Sequence, residues 1–321
     1  MSGLTPEQIA YFQAHADDDL RPNRIAACTC AFVVVIAAIT ARVIARFRSK
    51  GGFGLDDYII FGAVAFQLSY DILAVINIVN GGGLHIIFVK NMQLFGEGYV
   101  AASICYAITI MLTKVSILAF YYRIFPLRWL LHTSYAVGAV VVAYNFAIVL
   151  VVSFECIPLS SLWTGKPGTC IDTSTPFTIL AVVNILTDVA ILALPVKPVL
   201  GLQMKPKRKL QVLSIFLLGG TVCAFSTVRA VVMSKTEPGD PSYNGTPSAI
   251  WSLVECSVGI AAACLPTLSP LFKKREKNTS GTDGSEKALY PGLSPSLSER
   301  SDSLSGRLKP GSDVSVCSRD V

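Results

Sequence analysis

Seven stretches of mostly apolar residues, near positions 25–47, 58–80, 98–122, 133–155, 176–196, 210–233 and 248–272, dominate the sequence. A helix rising about 1.5 Å per residue needs roughly 20 such residues to cross the hydrocarbon core of a bilayer. Lipid offers the backbone no hydrogen-bond partners, so runs of this length fold as helices that satisfy their own amides. Composition points the same way: 52% of residues are hydrophobic and 15% charged, with a mean hydropathy of +0.55. A soluble protein carries about a quarter charged residues. The expected fold is therefore an all-α membrane protein, a seven-transmembrane helix bundle. Its expected parts are an extracellular N-terminal segment (1–24), the bundle (25–272) and a cytosolic tail (273–321). The tail is rich in Ser, Gly and Pro from Ser280 onward and is expected to be disordered, either as a phosphorylation platform or as a plain solvated end.

Direction follows from where Lys and Arg collect, because cytosolic loops carry the excess. Arg42, Arg46, Arg48 and Lys50 surround the first loop, and Arg123 and Arg128 the third. Lys197, Lys205, Lys207, Arg208 and Lys209 fill the fifth, and Lys273, Lys274, Arg275 and Lys277 open the tail. The opposite side holds Arg21, Arg24, Lys90, Lys166 and Lys235. The N-terminus is thus outside and the C-terminus cytosolic. The same clustering explains the net charge of +6 without nucleic acid, and the partner expected on this ground is membrane lipid. Asp17, Asp18 and Asp19 near the start do not fit a signal peptide, so the first helix is expected to do the targeting.

Two features of the outer loops agree with this direction. Cys156 and Cys170 share the second outer loop, where a disulfide persists, the alternative being two free thiols. Asn244-Gly245-Thr246 is a glycosylation sequon in the third outer loop, the alternative being an unused Asn-Gly turn. Asn278-Thr279-Ser280 also matches but lies on the cytosolic side and is expected to stay unmodified.

Five ionisable residues fall inside the spans: Asp71, Lys114, Asp188, Arg229 and Glu255. Charge in hydrocarbon is costly, which makes each a functional candidate. Lys114 and Asp188 both lie roughly 12 Å from the cytosolic ends of their helices, so they suit one buried pair. Asp71, nearer mid-membrane, is a further candidate partner for Lys114, and Arg229 with Glu255 forms a second pair in the outer half. The pairs are either clamps that fix packing or a switch that rearranges as the fifth and sixth helices move. Asn184, one turn before Asp188, shares its face and can hydrogen-bond across helices. Asp56 and Asp57 open the second helix, where carboxylates cap a helix N-terminus; use by a cytosolic partner is the alternative. Gly219-Gly220 permits close approach or a kink, and Pro266 is expected to bend the seventh helix.

Catalytic and metal patterns do not emerge from the sequence. His15, His85 and His132 fall in the N-terminal segment, an outer loop and an inner loop, which this topology keeps apart. Gly81-Gly82-Gly83 sits in an outer turn and not at a strand-to-helix junction.

A set of short motifs resembles the fungal rhodopsin-domain family of seven-helix membrane proteins. They are Leu55-Asp56-Asp57-Tyr58, Lys114-Val115-Ser116-Ile117-Leu118 running into Phe120-Tyr121-Tyr122-Arg123-Ile124-Phe125, Cys156-Ile157-Pro158 with Trp163 and Cys170, and Asn184 through Asp188 to Leu194-Pro195. The resemblance covers roughly residues 25 to 275. It implies a receptor-like protein of the G-protein-coupled kind, some relatives of which carry a cysteine-rich extracellular module. Residues 1–24 contain no cysteine, so a small-molecule ligand is expected to meet the loops or the bundle. Retinal is not expected, nor any other cofactor. An opsin needs a lysine in the seventh helix, and Trp251-Ser252-Leu253-Val254-Glu255-Cys256-Ser257 has none.

The leading functional expectation is a receptor-like sensor with an outward-facing pocket and basic cytosolic loops that meet a signalling protein. The alternative is a membrane-embedded enzyme or accessory protein of secondary-metabolite biosynthesis, with Asp71, Asp188 or Glu255 as general acid. Paired carboxylates facing one cavity would favour the enzyme, and carboxylates neutralised by Lys114 and Arg229 would oppose it. A transporter comes third, since the two halves show no convincing repeat.

Overall fold

The computed structural model of the chain describes residues 5–48, 52–124, 127–164, 167–172, 174–196, 206–234 and 240–268, with the side chains of 124, 174 and 206–216 left out. Lys50, Lys166, Lys197, Lys205, Lys235 and the tail with its Asn278 sequon lie outside the described residues, whereas Lys207, Arg208 and Lys209 fall in the first turns of the sixth long helix. Among the described residues, seven helices are long and apolar enough to cross a membrane. They are α1 (Arg21–Arg48), α2 (Leu55–Val79), α3 (Met92–Ile124), α4 (Arg128–Ser153), α5 (Ser174–Ala193), α6 (Pro206–Ser234) and α7 (Thr246–Cys264).

Each helix packs against its neighbours in chain order, and α7 closes the ring against α1. Helix α3 lies innermost, touching α2, α4, α5 and α7. The outward faces carry exposed apolar side chains such as Val33, Ile72, Phe146, Leu186 and Val231, which suit lipid. Buried between the helices is a polar stripe that includes Gln67, Thr109, Thr113, Asn145, Asn184 and Ser226.

Helix limits depart from the apolar runs where polar residues do structural work. Helix α3 starts six residues before its run, at Met92, because Asn91 Oδ1 accepts the amide of Leu94 at 3.1 Å and caps the helix. Gln93 then bonds Glu97 one turn on at 2.8 Å, so this first stretch is helical yet not apolar. Gly96 and Gly98 let other segments approach it: a Cβ there would lie 2.7 Å from the Trp163 ring and 2.5 Å from Asn77 Oδ1. At the other end of the chain, α7 gives way at Pro266 to a 3-10 turn, Leu265–Leu268. Gly219 brings α6 against α5, since a Cβ would meet Leu192 at 2.5 Å, whereas Gly220 has nothing within 4 Å.

The outer side is covered. A short helix, Pro6–Ala14, is capped by Thr5 and Gln8 in a reciprocal box. Its Phe12 stacks on His85 at 4.9 Å, and His85 stacks in turn on Tyr243 at 4.5 Å. Asp240 ties this sandwich together: Oδ2 meets His85 Nδ1 at 2.7 Å, and Oδ1 accepts the amides of Ile86 and Tyr243. Where the chain enters α1, the Asp19 carboxyl is held below its usual range by hydrogen bonds from Arg21. Cys156 and Cys170 are joined by a disulfide and face each other in a two-stranded antiparallel ladder. Asn244 ends a helical turn, Pro241–Asn244, and its sequon partner Thr246 is buried, donating to Ser242 O at 2.8 Å.

Candidate functional site

Four of the five intramembrane charges are brought into one hydrogen-bonded chain. Lys114 Nζ lies 2.8 Å from Asp188 Oδ1, with both side chains buried. It also donates to the Asn184 carbonyl (2.9 Å), Asn184 Oδ1 (2.8 Å) and Thr187 Oγ1 (2.9 Å). Residues 184, 187 and 188 fall on one face of α5, which is why a single ammonium reaches all three. Asn184 Oδ1 also accepts from Tyr144 of α4 at 2.8 Å, and its Nδ2 donates to Glu255 Oε1 of α7 at 2.8 Å.

Glu255 is the far hub. Its Oε2 accepts from Tyr106 of α3 at 2.8 Å and lies 3.5 Å from Arg229 Nη1 of α6. Arg229 is steadied by Ser252, which accepts from its Nε at 3.0 Å, and by the Tyr106 ring, whose centroid is 4.4 Å from the guanidinium carbon. Ser226 of α6 joins the two halves, lying 2.9 Å from Asp188 Oδ2 and 2.6 Å from Glu255 Oε1. A hydroxyl has one proton, so Ser226 donates to one carboxylate at a time. Its proton is thus a movable link between the Lys114–Asp188 and Glu255–Arg229 pairs. The two acids balance the two bases, and five helices, α3 to α7, contribute.

Asp71 is not part of this chain. Its Oδ1 accepts from Gln67 at 2.9 Å, and Oδ2 is buried without a hydrogen-bond partner. The expectation that it shares Lys114 is corrected. Asp71 stands 16 residues from the start of α2 at Leu55, Lys114 ten from the end of α3 at Ile124. At 1.5 Å per residue they sit about 24 and about 15 Å from their cytosolic ends, so depth separates them.

Asp56 and Asp57 form a second buried cluster, at the cytosolic ends. Asp57 Oδ2 accepts the amide of Gly54 at 2.8 Å, which is the capping contact. Both carboxylates also meet arginines of α1. Arg42 reaches Asp56 at 2.6 Å and Asp57 at 2.7 Å, while Arg46 reaches them at 2.6 and 2.8 Å. Arg42 Nη1 donates to the Ala263 carbonyl of α7 at 2.8 Å, and Arg123 of α3 adds a looser contact to Asp56 at 3.3 Å. Asp56 and Asp57 are 2% and 0% exposed, turned to these arginines and not to the surface. The sequence signal for this cluster was available: Arg42 and Arg46 are one helical turn apart in an apolar run, just before paired aspartates.

Between the two clusters lies a cavity with an empty volume of about 740 Å³ including its mouth. Lys114, Asp188 and Glu255 line its inner end. Every other helix-α5, -α6 and -α7 residue on its wall lies cytosolic to those charges, among them Ile191, Gly219, Ala262 and Pro266. Small residues create the space, since 259, 262, 263 and 266 fall on one face of the α7 end. The cavity that adjoins these charges lies toward the cytosol. The His85–Asp240 sandwich lies on the outer side of the bundle.

The model of the fungal rhodopsin domain matches residues 41–274. The chain is 29% identical over 218 residues to a SAT4 family membrane protein of Emericella nidulans, covering 66% of this chain and 55% of that protein. It is 25% identical over 253 residues to Receptor GIN3 of Arthrobotrys oligospora, covering 75% of this chain and 60% of that one. It is 29% identical over 172 residues to satratoxin biosynthesis SC1 cluster protein 4 of Stachybotrys chartarum, covering 53% and 62%. The chain therefore spans less than two thirds of the length of these relatives. No solved structure matches it. With the family model spanning the end of α1 and all of α2 to α7, the chain belongs to the fungal rhodopsin domain family of multi-pass membrane proteins.

Proposed function

We propose that this protein is a receptor-like sensor in which the charge chain from Lys114 to Arg229 is the element with two arrangements. The observation that carries this reading is the Ser226 bridge. Its one hydroxyl proton links two ion pairs, so a small shift of α6 relative to α5 and α7 transfers the bond from one carboxylate to the other. A ligand that favours one arrangement shifts the population by its difference in affinity. Gly219, which lets α6 lie close against Leu192 of α5, supports such a movement. The relative named as a receptor supports the same reading. The partner would be a cytosolic signalling protein met through the basic loops, and the ligand a small molecule.

The enzyme reading has one specific point in its favour: Asp188 and Glu255 line the same cavity. Several relatives are also named as proteins of biosynthesis clusters. Against it, each carboxylate is engaged by a cation, at 2.8 and 3.5 Å, so neither stands as an unpaired acid facing the cavity. Deleting the gene in the native organism, with metabolite profiling and a second-messenger assay, separates the two. A receptor loses a response with metabolites intact. A metabolite that disappears and is restored by membranes containing the protein assigns the enzyme and refutes the receptor.

A further inference from the structure

We propose that the cytosolic-half cavity binds a compact lipophilic molecule whose polar head donates hydrogen bonds, a hydroxyl or an amine, and that it discriminates against carboxylates. This rests on the receptor reading and names the ligand class of the same site.

The inner end of the cavity has spent its donors. Lys114 has three N–H groups and four acceptors within 2.9 Å, two on Asn184 and one each on Thr187 and Asp188, so none is left for a ligand. Thr113, also on the wall, donates its proton to the Thr109 carbonyl at 2.7 Å. The acceptors are not spent. An ionised carboxylate has about four lone-pair sites. Asp188 uses one oxygen for Lys114 and the other for Ser226, which leaves sites open on a group that lines the cavity. Two acceptor carboxyls, Asp188 and Glu255, stand on this wall and the Lys114 ammonium is already engaged, so a ligand carboxylate would meet acceptors and no free donor there. A hydroxyl or ammonium head meets acceptors instead. The remaining walls are mainly aliphatic and aromatic. Tyr121, seven residues beyond Lys114 on α3, adds a phenol at the opposite end, about 10 Å away along the helix. That position suits a second contact at the tail of the ligand.

The test uses three probes with one apolar body and different heads: 1-adamantanol, 1-adamantylamine and adamantane-1-carboxylate. Each is titrated calorimetrically into the full chain in lipid nanodiscs. The alcohol and the amine are expected to bind, and the carboxylate about tenfold more weakly or not at all. Ala262→Phe fills the cavity without touching the charge chain and is expected to abolish alcohol binding. The order of head groups is read on the unaltered protein, so it decides the matter even where Ala262→Phe fails to fold. Carboxylate binding equal to that of the alcohol, no binding of any probe, or alcohol binding unchanged in folded Ala262→Phe would each overturn the proposal. Signalling is not read in this assay. A Lys114-dependent response without adamantanol binding removes this inference and leaves the receptor reading in place.

Discussion

Replacing Lys114 with Met removes the ammonium while keeping most of the side chain's length. Asp188 then loses the cation at 2.8 Å and remains buried, 8% exposed, facing Ser226 alone. The Asn184 carbonyl and Oδ1 and the Thr187 hydroxyl lose a donor at the same time. Breaking a buried pair by removing one partner costs about 3–5 kcal/mol. Removing both charges avoids the stranded carboxylate, so Lys114→Met with Asp188→Leu is expected within about 2 kcal/mol of the unaltered protein, a favourable coupling of about 2 kcal/mol or more. Unfolding can be followed in mixed detergent–lipid micelles titrated with SDS, using a maleimide dye. Cys28, Cys256 and Cys264 are buried and react on unfolding. The reasoning fails if Lys114→Met unfolds within about 1 kcal/mol of the unaltered protein, or if the double variant is as unstable as the sum of the singles.

Other expectations follow from the same geometry. In the cytosolic cluster, Arg42→Gln strands Asp56 and Asp57 and is expected to cost about 3 kcal/mol or more, because its side chain is 1% exposed. Arg123→Gln, at 37% exposure and 3.3 Å, should cost under about 1 kcal/mol in the same assay, and equal losses would contradict the assignment. Replacing Cys156 and Cys170 together by Ala opens a closed loop of sequence separation 14 and should cost about 3 kcal/mol, seen as a lower SDS midpoint that reductant no longer shifts. Phe12→Ala removes one face of the His85 sandwich, so amides 8–14 should exchange with deuterium about tenfold faster or more; unchanged exchange would mean the short helix is held elsewhere.

Much of the architecture was legible because lipid imposes a length and a composition on every span. Seven apolar runs became seven helices, and the departures arose where polar residues extended a helix past the run, as at Asn91 and Gln93, or where Pro266 changed the helix type. Depth along a helix placed Lys114 level with Asp188 and Arg229 near Glu255. What depth does not give is the direction a side chain takes around its helix. For Asp71 depth itself was the obstacle: it lies about 9 Å farther than Lys114 from its helix's cytosolic end, and it bonds Gln67 of its own helix. Lone hydroxyls were the least visible feature: nothing in the sequence distinguishes Ser226 or Tyr106 from the other Ser and Tyr of the spans, yet both complete the charge chain. The arginines near the first loop were read as topology signals. Arg42 and Arg46 face the bundle, where Asp56 and Asp57 neutralise them, so one pair of residues serves both topology and packing. Residues 259, 262 and 263 carry no signal of their own in the sequence, and their common face becomes a cavity wall only where α3, α5 and α6 are set against it.

The central claim is that the buried charge chain switches and does not merely clamp. Its most direct test is second-messenger output in a deletion strain re-expressing either the unaltered protein, Lys114→Met, or Lys114→Met with Asp188→Leu, at matched surface levels. The account predicts altered basal output for both variants, including the double variant whose stability is largely restored. Output equal to that of the unaltered protein in the double variant would show that the chain only holds the helices together.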